Sequence, residues 1–255
     1  MSSEKKGRLY LVPAPLDFGC DSQAALQDVM PLGTIQIAAT LSCWICENAK
    51  STRAYLKRVG EVQALTHAVQ QQQIQELPRE VHKKGDHGGG FDARPLLKAA
   101  LEGQDIGLVS EAGMPAIADP GSSVVRAAHD LGLQVLPLVG PMSLMLALAA
   151  SGLNGQNFAF VGYVPQDGGE RSQRIRELES LALKTGQTQI FIETPYRNTA
   201  LLQALMQTLQ GNTRLALSCG LSLPTQWSHS ATASAWKRDK PAAPLALPTV
   251  FCMGR

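Results

Sequence analysis

The sequence predicts an α/β protein built from two α/β domains, and three observations support this. Short apolar segments of strand length alternate along the chain with longer segments that carry apolar residues at helical spacing. The chain has 255 residues, which is long for one core and suits two domains of about 120–130 residues each. Hydrophobic residues make up 44% and charged residues 17%, a balance typical of globular proteins.

The first domain is expected to span residues 1–132. Apolar runs predict strands at residues 8–12, 43–46 and 106–110. Spacing and capping residues predict helices at residues 32–40, 51–59, 95–101 and 122–131, the last capped by Asp119. Residues 82–90 contain three consecutive glycines, whose backbone entropy opposes regular structure, so a loop is expected there.

The second domain is expected to span residues 133–255 and to contain a mixed sheet. Strands are predicted at residues 133–139, 158–164, 189–193, 214–218 and 249–253, and helices after residue 141 and at residues 170–184 and 197–209. Residues 133–153 are apolar enough to suggest a membrane span. However, Pro137, Gly140 and Pro141 would break a spanning helix, so a strand, a turn and a buried helix are expected instead of membrane insertion.

The N-terminal residues and the cysteines predict a cytoplasmic protein. The first eight residues, MSSEKKGR, are polar and do not resemble a secretory signal. Five cysteines without such a signal predict free thiols. Cys43 and Cys46 form a C-x-x-C motif in an apolar run, where structural packing is favoured over metal or redox chemistry, and no metal site is expected. The net charge of +2 is too small to argue for nucleic acid.

Three predicted strands end in loops rich in glycine and proline, at residues 13–15, 110–121 and 139–143. Such loops present backbone groups to a ligand at the carboxyl ends of strands and suit a flat, partly apolar group such as adenosine, although they also serve simply as turns. The dinucleotide, phosphate-loop, zinc-helix and hydrolase motifs are absent from the sequence.

Several segments carry a resemblance to one family. Residues 108–121, LVSEAGMPAIADPG, resemble the segment LVSDAGTPLISDPG of the bacterial small-subunit ribosomal RNA ribose-2′-O-methyltransferases, a branch of the tetrapyrrole (corrin/porphyrin) methylase superfamily. Residues 9–16 resemble LYVVPTPI, residues 138–153 resemble VPGPSALIAALSASGL, and residues 192–197 resemble YESPHR. These and two further segments, at residues 47–50 and 158–165, follow one order between residues 8 and 217.

The resemblance implies two α/β domains with S-adenosylmethionine in the cleft between them, and a homodimer. It implies cofactor contacts from the first domain by Pro13, Gly113, Met114, Pro115, Ile117 and Ala118, and from the second by Met142, Ser143, Thr194 and Pro195. The sequence departs from the family pattern where Met114 replaces threonine and Tyr196 replaces histidine. Residues 166–171, QDGGER, replace a loop rich in lysine and arginine, which removes groups that would bind phosphate.

Glu47 is the candidate catalytic residue, because a carboxylate at a strand end could orient or deprotonate an acceptor hydroxyl. Equally, it could be a solvated carboxylate at the start of the next helix. Lys50 and Arg53 are candidates for neutralising an anionic acceptor, and Glu193 and Tyr196 are candidate substrate residues in the second domain.

The resemblance implies transfer of a methyl group from S-adenosylmethionine, with a ribosomal RNA ribose, or the assembled small subunit, as the first candidate acceptor. A tetrapyrrole or another small molecule is the alternative acceptor. A protein that kept the fold as a non-catalytic or regulatory S-adenosylmethionine-binding module is a third interpretation.

Overall fold

The computed structural model describes residues 5–84 and 86–255, without the side chains of residues 82–84. The chain forms two compact units. The first contains the segment up to Gly19 and Gln23–Pro141, and the second contains Cys20–Ser22 and Met142–Arg255. The division therefore lies after Pro141 rather than after residue 132, because the strand that follows residue 132 pairs within the first sheet.

All pairings in the first sheet are parallel. Its strands are β1 (Arg8–Leu11), β2 (Cys43–Cys46), β3 (Gln73–Glu76), β4 (Ile106–Val109) and β5 (Gln134–Pro137), in the order β3-β2-β4-β1-β5. β3 was not predicted, because its sequence QIQE is mostly polar and exposed. A strand at the edge of a sheet needs less apolar surface than a central one.

The first unit contains six α-helices among its described residues: α1 (Leu26–Val29), α2 (Leu32–Thr40), α3 (Ala49–Val62), α4 (Arg79–Lys84), α5 (Lys98–Leu101) and α6 (Ser122–Asp130). The loop expected at residues 82–90 thus begins later, since α4 continues through Lys84. Gly85 lies outside the described residues. α3 begins earlier than expected, because the Asn48 side chain caps it by accepting the backbone N–H groups of Lys50 and Ser51.

Helices cover both faces of the first sheet, as parallel sheets require. On β2, Trp44 and Cys46 pack into one apolar cluster with residues of α2 and α3, and Cys43 and Ile45 pack into another with residues of α5 and α6. Cys43 and Cys46 therefore lie on opposite faces of the sheet and cannot share a metal ion or a disulfide. The interpretation of this C-x-x-C motif as core packing is confirmed.

Asp86 caps α6, a role that the sequence assigned wrongly to Asp119. The Asp86 carboxylate accepts the backbone N–H groups of Gly121 and Ser123 at 2.9 and 2.8 Å, and the hydroxyl groups of Ser122 and Ser123 at 2.7 and 2.5 Å. Asp86 is only 4% exposed, and these donors lower the pKa of its carboxyl group although burial opposes them. A residue of the glycine-rich loop thereby fixes the start of a helix that follows much later in the chain.

The second sheet is mixed, as predicted. Its strands are β6 (Phe158–Tyr163), β7 (Thr188–Glu193), β8 (Arg214–Cys219), β9 (Trp227–Thr232) and β10 (Thr249–Gly254), in the order β6-β7-β10-β8-β9. β6 and β7 pair in parallel, and the other three pairings are antiparallel. The first sheet is therefore wholly parallel, whereas the second is mostly antiparallel.

Helices also cover both faces of the second sheet. They are α7 (Ser143–Ser151), α8 (Gly168–Thr185), α9 (Asn198–Thr208) and α10 (Ala233–Asp239). α7 contributes Leu144, Ala147 and Leu148 to the cluster on one face, and α8, α9 and α10 pack on the other, where the rings of Phe191 and Phe251 stack at 5.6 Å.

Residues 133–153 form the short strand β5, a turn and the nine-residue helix α7. In the part of the chain that the structure describes, none of the helices combines the length and apolar character needed to cross a membrane.

We expect Asp86→Ala to lower the free energy of unfolding by about 1–3 kcal/mol, because it leaves four donors at the start of α6 without their acceptor. Denaturant unfolding at neutral pH measures this loss. Asp130→Ala, an exposed acid at the other end of α6, should be neutral or slightly stabilising. Equal stability of the two variants would show that Asp86 does not hold the helix.

Candidate functional site

The carboxyl ends of all five strands of the first sheet lie along one edge, because every pairing is parallel. From β2 the chain leads to β3 at the edge of the sheet, and from β4 it leads to β5 at the opposite edge. The crevice between β2 and β4 is therefore a topological switch point, where ligands bind in open α/β sheets. Glu47 follows β2, and Ser110 and Glu111 follow β4.

Two loops at this edge are joined by a backbone bridge. The N–H of Ala14, after β1, donates to the carbonyl oxygen of Gly113 at 2.9 Å, and the N–H of Gly113 donates to the carbonyl oxygen of Ala14 at 2.9 Å. Gly113 has a φ of 71°. A Cβ at this position would lie 3.3 Å from Leu16. A side chain at residue 113 would therefore strain the backbone and crowd Leu16, and glycine avoids both.

The loop at residues 110–121 holds unusual backbone conformations. Ala116 and Ala118 both have a φ of 65°, where a residue with a Cβ costs roughly 1–2 kcal/mol. Such strained residues cluster at ligand sites, where the surrounding structure holds them in place. Gly121, with a φ of 134°, ends the loop where a Cβ would lie 3.1 Å from Leu108.

The implied cofactor residues of the first unit lie at this edge of the sheet. Gly113 and Pro115 are buried, Met114 is half-buried, and Ile117 and Ala118 are exposed. Pro13 is buried, and its ring lies where a Cβ at Gly140 would have to be. The loop after β5 can therefore approach Pro13 only because residue 140 is glycine.

The implied cofactor residues of the second unit begin two helical segments. Met142 precedes α7 and makes no side-chain capping hydrogen bond, and Ser143 is the first residue of α7. Pro195 is the first residue of a 3₁₀ turn, Pro195–Arg197, that follows β7, with Thr194 at its cap position.

Glu193 is the buried anchor of this turn. Its Oε1 accepts the backbone N–H of Thr194 at 2.7 Å and forms an ion pair with Arg197 at 2.7 Å. The Arg197 guanidinium lies over the ring of Tyr196, 5.1 Å from its centroid, and Tyr196 is 80% exposed. The two candidate substrate residues therefore differ, since Glu193 is committed to internal contacts and Tyr196 faces solvent.

Glu47 combines burial with a missing hydrogen-bond partner. Its Oε1 is buried and has no partner among the described residues. Burial, and secondarily the negative charge of Asp119, raise the pKa of Glu47 to about 8, although the backbone N–H of Glu111 opposes the shift. The carboxyl group of Glu47 is thus mostly protonated at neutral pH and becomes a proton acceptor as the pH rises.

Asp119 and Glu111 complete a group of carboxyl side chains at the switch point. Burial, and then the charge of Glu111, raise the pKa of Asp119 to about 7. Perturbed carboxyl groups in a crevice are typical of functional sites, where the pKa must match the proton transfer. Asp119, which the sequence suggested as a helix cap, belongs electrostatically to this site.

A cavity of about 470 Å³ opens beside these residues. Its wall combines the loop after β1, the first three turns of α3 and the residues that follow β4, and the lining includes Asp17, Asn48, Lys50, Tyr55, Arg58, Ser110 and Glu111. Asp17, Tyr55 and Arg58 were not predicted. Tyr55 and Arg58 share a face of α3, but their convergence with Asp17 depends on tertiary structure. Of the two candidate cations on α3, Lys50 lines the cavity, and Arg53 is exposed on the same helix.

We expect Glu47→Gln to change the dependence of stability on pH. The pKa of Glu47 is raised in the folded protein from its ordinary value of 4.5, so the stability it contributes is complete below that value and is lost as the pH rises through about 8. Relative to the variant, the wild type should therefore lose up to about 1 kcal/mol per pH unit between pH 5 and 8. Urea unfolding across this range measures the difference.

Glu61→Gln, which changes an exposed glutamate on α3, is the matched control and should leave the pH dependence unchanged. A constant difference between Glu47→Gln and the wild type at all pH values would contradict the raised pKa.

The chain is similar in sequence and in fold to known proteins. A family model described as "Tetrapyrrole (Corrin/Porphyrin) Methylases" matches residues 38–235. A protein of Mesorhizobium japonicum named "Ribosomal RNA small subunit methyltransferase I" is 32% identical over 210 residues, which are 82% of this chain and 62% of that protein. A protein of the same name from Escherichia coli O157:H7 is 28% identical over 242 residues, 93% of this chain and 74% of that protein.

The match thus spans less than two thirds of the length of the Mesorhizobium relative. The crystal structure of uroporphyrin-III-C-methyltransferase from Thermus thermophilus superposes with a TM-score of 0.54 at 16% identity, covering 98% of this chain and 94% of that one. The predicted fold of two α/β domains is therefore confirmed. Because the family model matches more than half of the sequence, the chain belongs to the tetrapyrrole (corrin/porphyrin) methylase family.

Proposed function

We propose that this protein is an S-adenosylmethionine-dependent methyltransferase and that its acceptor is a ribose 2′-hydroxyl of ribosomal RNA. The observation that carries the proposal is a buried carboxyl group with a raised pKa, Glu47, at the switch point beside the loop at residues 110–121. The names of the relatives support a ribosomal RNA acceptor.

The loop at residues 110–121 fits the cofactor by its chemistry. Ile117 and Ala118 expose apolar surface, which suits an adenine ring, and Ala116 and Ala118 hold strained backbone conformations of the kind that cluster at ligand sites. When bound, S-adenosylmethionine supplies a methyl group already activated by its sulfonium. The residues of this chain then need to bind, orient and desolvate the reactants and to remove one proton. Met142, Ser143, Thr194 and Pro195 remain predicted contacts from the second unit.

Glu47 provides the proton acceptor in this proposal. As the hydroxyl oxygen bonds to the methyl carbon and the carbon–sulfur bond breaks, the hydroxyl proton passes to the ionised Glu47 carboxylate. The products are the methyl ether, the neutral thioether of the cofactor and a protonated Glu47. Only the ionised fraction of Glu47 can take the proton. The rate of the reaction should therefore follow the titration of Glu47, whose pKa is raised.

We expect kcat/KM for methyl transfer to rise about tenfold per pH unit below pH 8 and to level off above it. Glu47→Gln should lower the rate by about 10²–10⁴-fold and abolish this rise. Transfer of labelled methyl to small ribosomal subunits between pH 6 and 9 gives both profiles. Calorimetry with S-adenosylmethionine should show unchanged cofactor binding in the variant, and a fully active Glu47→Gln protein would exclude Glu47 as the base.

The basic side chain in the loop at residues 166–171 is engaged by backbone groups of the same loop. Arg171, at the start of α8, donates to the backbone carbonyl oxygens of Pro165 and Gln166. In the same loop Asp167 caps α8 by accepting the N–H groups of Gly169 and Glu170. This loop therefore offers little to RNA phosphates, which favours an acceptor presented by the assembled small subunit over free RNA.

We expect weak binding to free small-subunit RNA, with a salt dependence that corresponds to no more than about two phosphate contacts. Each contact on single strands contributes a slope of about −0.7 in a plot of log affinity against log salt. Filter binding over a salt series measures this slope, and a parallel series with assembled subunits tests the preferred acceptor. Tight binding to free RNA with a slope near −4 or steeper would contradict the expectation.

The low net charge of the chain favours a small molecule as the methyl acceptor, and methylation of a small molecule is the second candidate function. Counting labelled methyl groups separately in RNA, protein and small-molecule fractions of a cell extract distinguishes the two acceptors. If the protein binds neither S-adenosylmethionine nor S-adenosylhomocysteine at millimolar concentration, the methyltransferase proposal fails. Binding of S-adenosylmethionine without transfer of methyl to any fraction would favour the non-catalytic interpretation.

A further inference from the structure

The cavity beside the switch point contains two hydroxyl groups that no described residue satisfies. Tyr55 on α3 and Ser110 after β4 are each 6% exposed, line the cavity, and have buried oxygens without a hydrogen-bond partner. Leaving a buried polar group unpaired costs about 1–3 kcal/mol. Two such groups in the wall of one cavity indicate that a ligand supplies the partners.

A buried ion pair holds the cavity wall in shape. Arg58 on α3 donates to both carboxylate oxygens of Asp17 at 2.9 Å and to the carbonyl oxygen of Ala24 at 2.8 Å. The Asp17 side chain is 4% exposed and that of Arg58 is 18% exposed. A bidentate pair of this kind fixes geometry. It joins the loop after β1 to α3, so the space between them exists before a ligand binds.

The surfaces around this space have three kinds of chemistry. Pro15 and the half-exposed Phe18 contribute apolar surface from the loop after β1, and Tyr55 and Ser110 contribute polar groups. Lys50, on the first turn of α3, contributes positive charge and is exposed. The lining also includes Glu111, whose backbone N–H acts on the Glu47 carboxyl group, so the cavity and the proposed base are neighbours.

We propose that this cavity binds the base of a single nucleotide turned out of the acceptor RNA. The base lies against Pro15 and Phe18 with its polar edge toward Tyr55 and Ser110, the ribose hydroxyl reaches Glu47, and a phosphate lies near Lys50. This inference rests on the proposed function and adds a recognition site to it.

A base fits these surfaces better than other parts of RNA. Unpaired bases are recognised by stacking on aromatic side chains and by hydrogen bonds to their edges. A duplex presents its bases only in the grooves and could not enter a cavity of about 470 Å³. Recognition through one enclosed base also requires few phosphate contacts, consistent with a chain whose net charge is +2.

Tyr55→Phe tests the hydroxyl without disturbing the fold. Because the Tyr55 hydroxyl has no partner among the described residues, its removal should leave the melting temperature unchanged or raised. The same variant should bind nucleoside 5′-monophosphates about tenfold or more weakly, as followed by saturation-transfer NMR or calorimetry. Unchanged binding would overturn the proposed role of Tyr55.

Ala54→Trp tests the cavity as a whole. Ala54 is exposed on α3 and lines the cavity, so an indole there fills the space and can be accommodated without entering the core. Glu61→Trp is the matched control, because Glu61 is exposed near the other end of α3. We expect Ala54→Trp to weaken binding of nucleoside monophosphates and to raise KM for small subunits by tenfold or more, with cofactor affinity unchanged. Glu61→Trp should behave as the wild type.

Ribose 5-phosphate serves as the probe without a base and should bind at least tenfold more weakly than the monophosphates. Equal binding of ribose 5-phosphate, or wild-type binding and KM in Ala54→Trp, would overturn the inference even if methyl transfer is observed. If no cofactor binds and no methyl is transferred, the proposed function fails. The binding of monophosphates, with the effects of Tyr55→Phe and Ala54→Trp, then still decides whether the cavity is a base site.

Discussion

The site depends on the pair of backbone hydrogen bonds that joins Ala14 to Gly113. These two bonds of 2.9 Å hold the loop after β4 against the loop after β1. Gly113 can make them only with a φ of 71°, which few other residues adopt without strain. The start of the same loop places Ser110 and Glu111 in the cavity wall. A backbone contact thus determines where the side-chain chemistry lies.

The fold was predictable where strands are buried on both faces. β2 and β4 are continuous apolar runs that are fully buried, and such runs are recognisable without knowledge of the fold. β3 and β9 lie at sheet edges and contain mostly polar residues, so composition does not distinguish them from loops. The unit division after Pro141 was missed because it follows from the pairing of β5 with β1, which is a long-range contact.

The sequence indicates where along the chain the candidate site lies, but it does not indicate the electrostatics of its residues. Glu47 was identified from its place after a strand, whereas its raised pKa comes from burial and from Asp119, which is far away in sequence. The ion pair of Asp17 with Arg58 joins residues 41 positions apart, so no local pattern marks it. The cap of α6 illustrates the same limit, since the nearby Asp119 was chosen from spacing and the distant Asp86 makes the contacts.

The position of β10 has a consequence for synthesis of the protein. β10 lies between β7 and β8 and pairs with both, although it follows them in the chain. Until the ribosome has produced residues 249–254, β7 and β8 have no strand between them with which to pair. The second sheet then lacks its central strand. The first unit has by then all of its strands available. The order of translation therefore favours folding of the first unit before the second, which leaves the second unit dependent on the last strand for its cooperative folding.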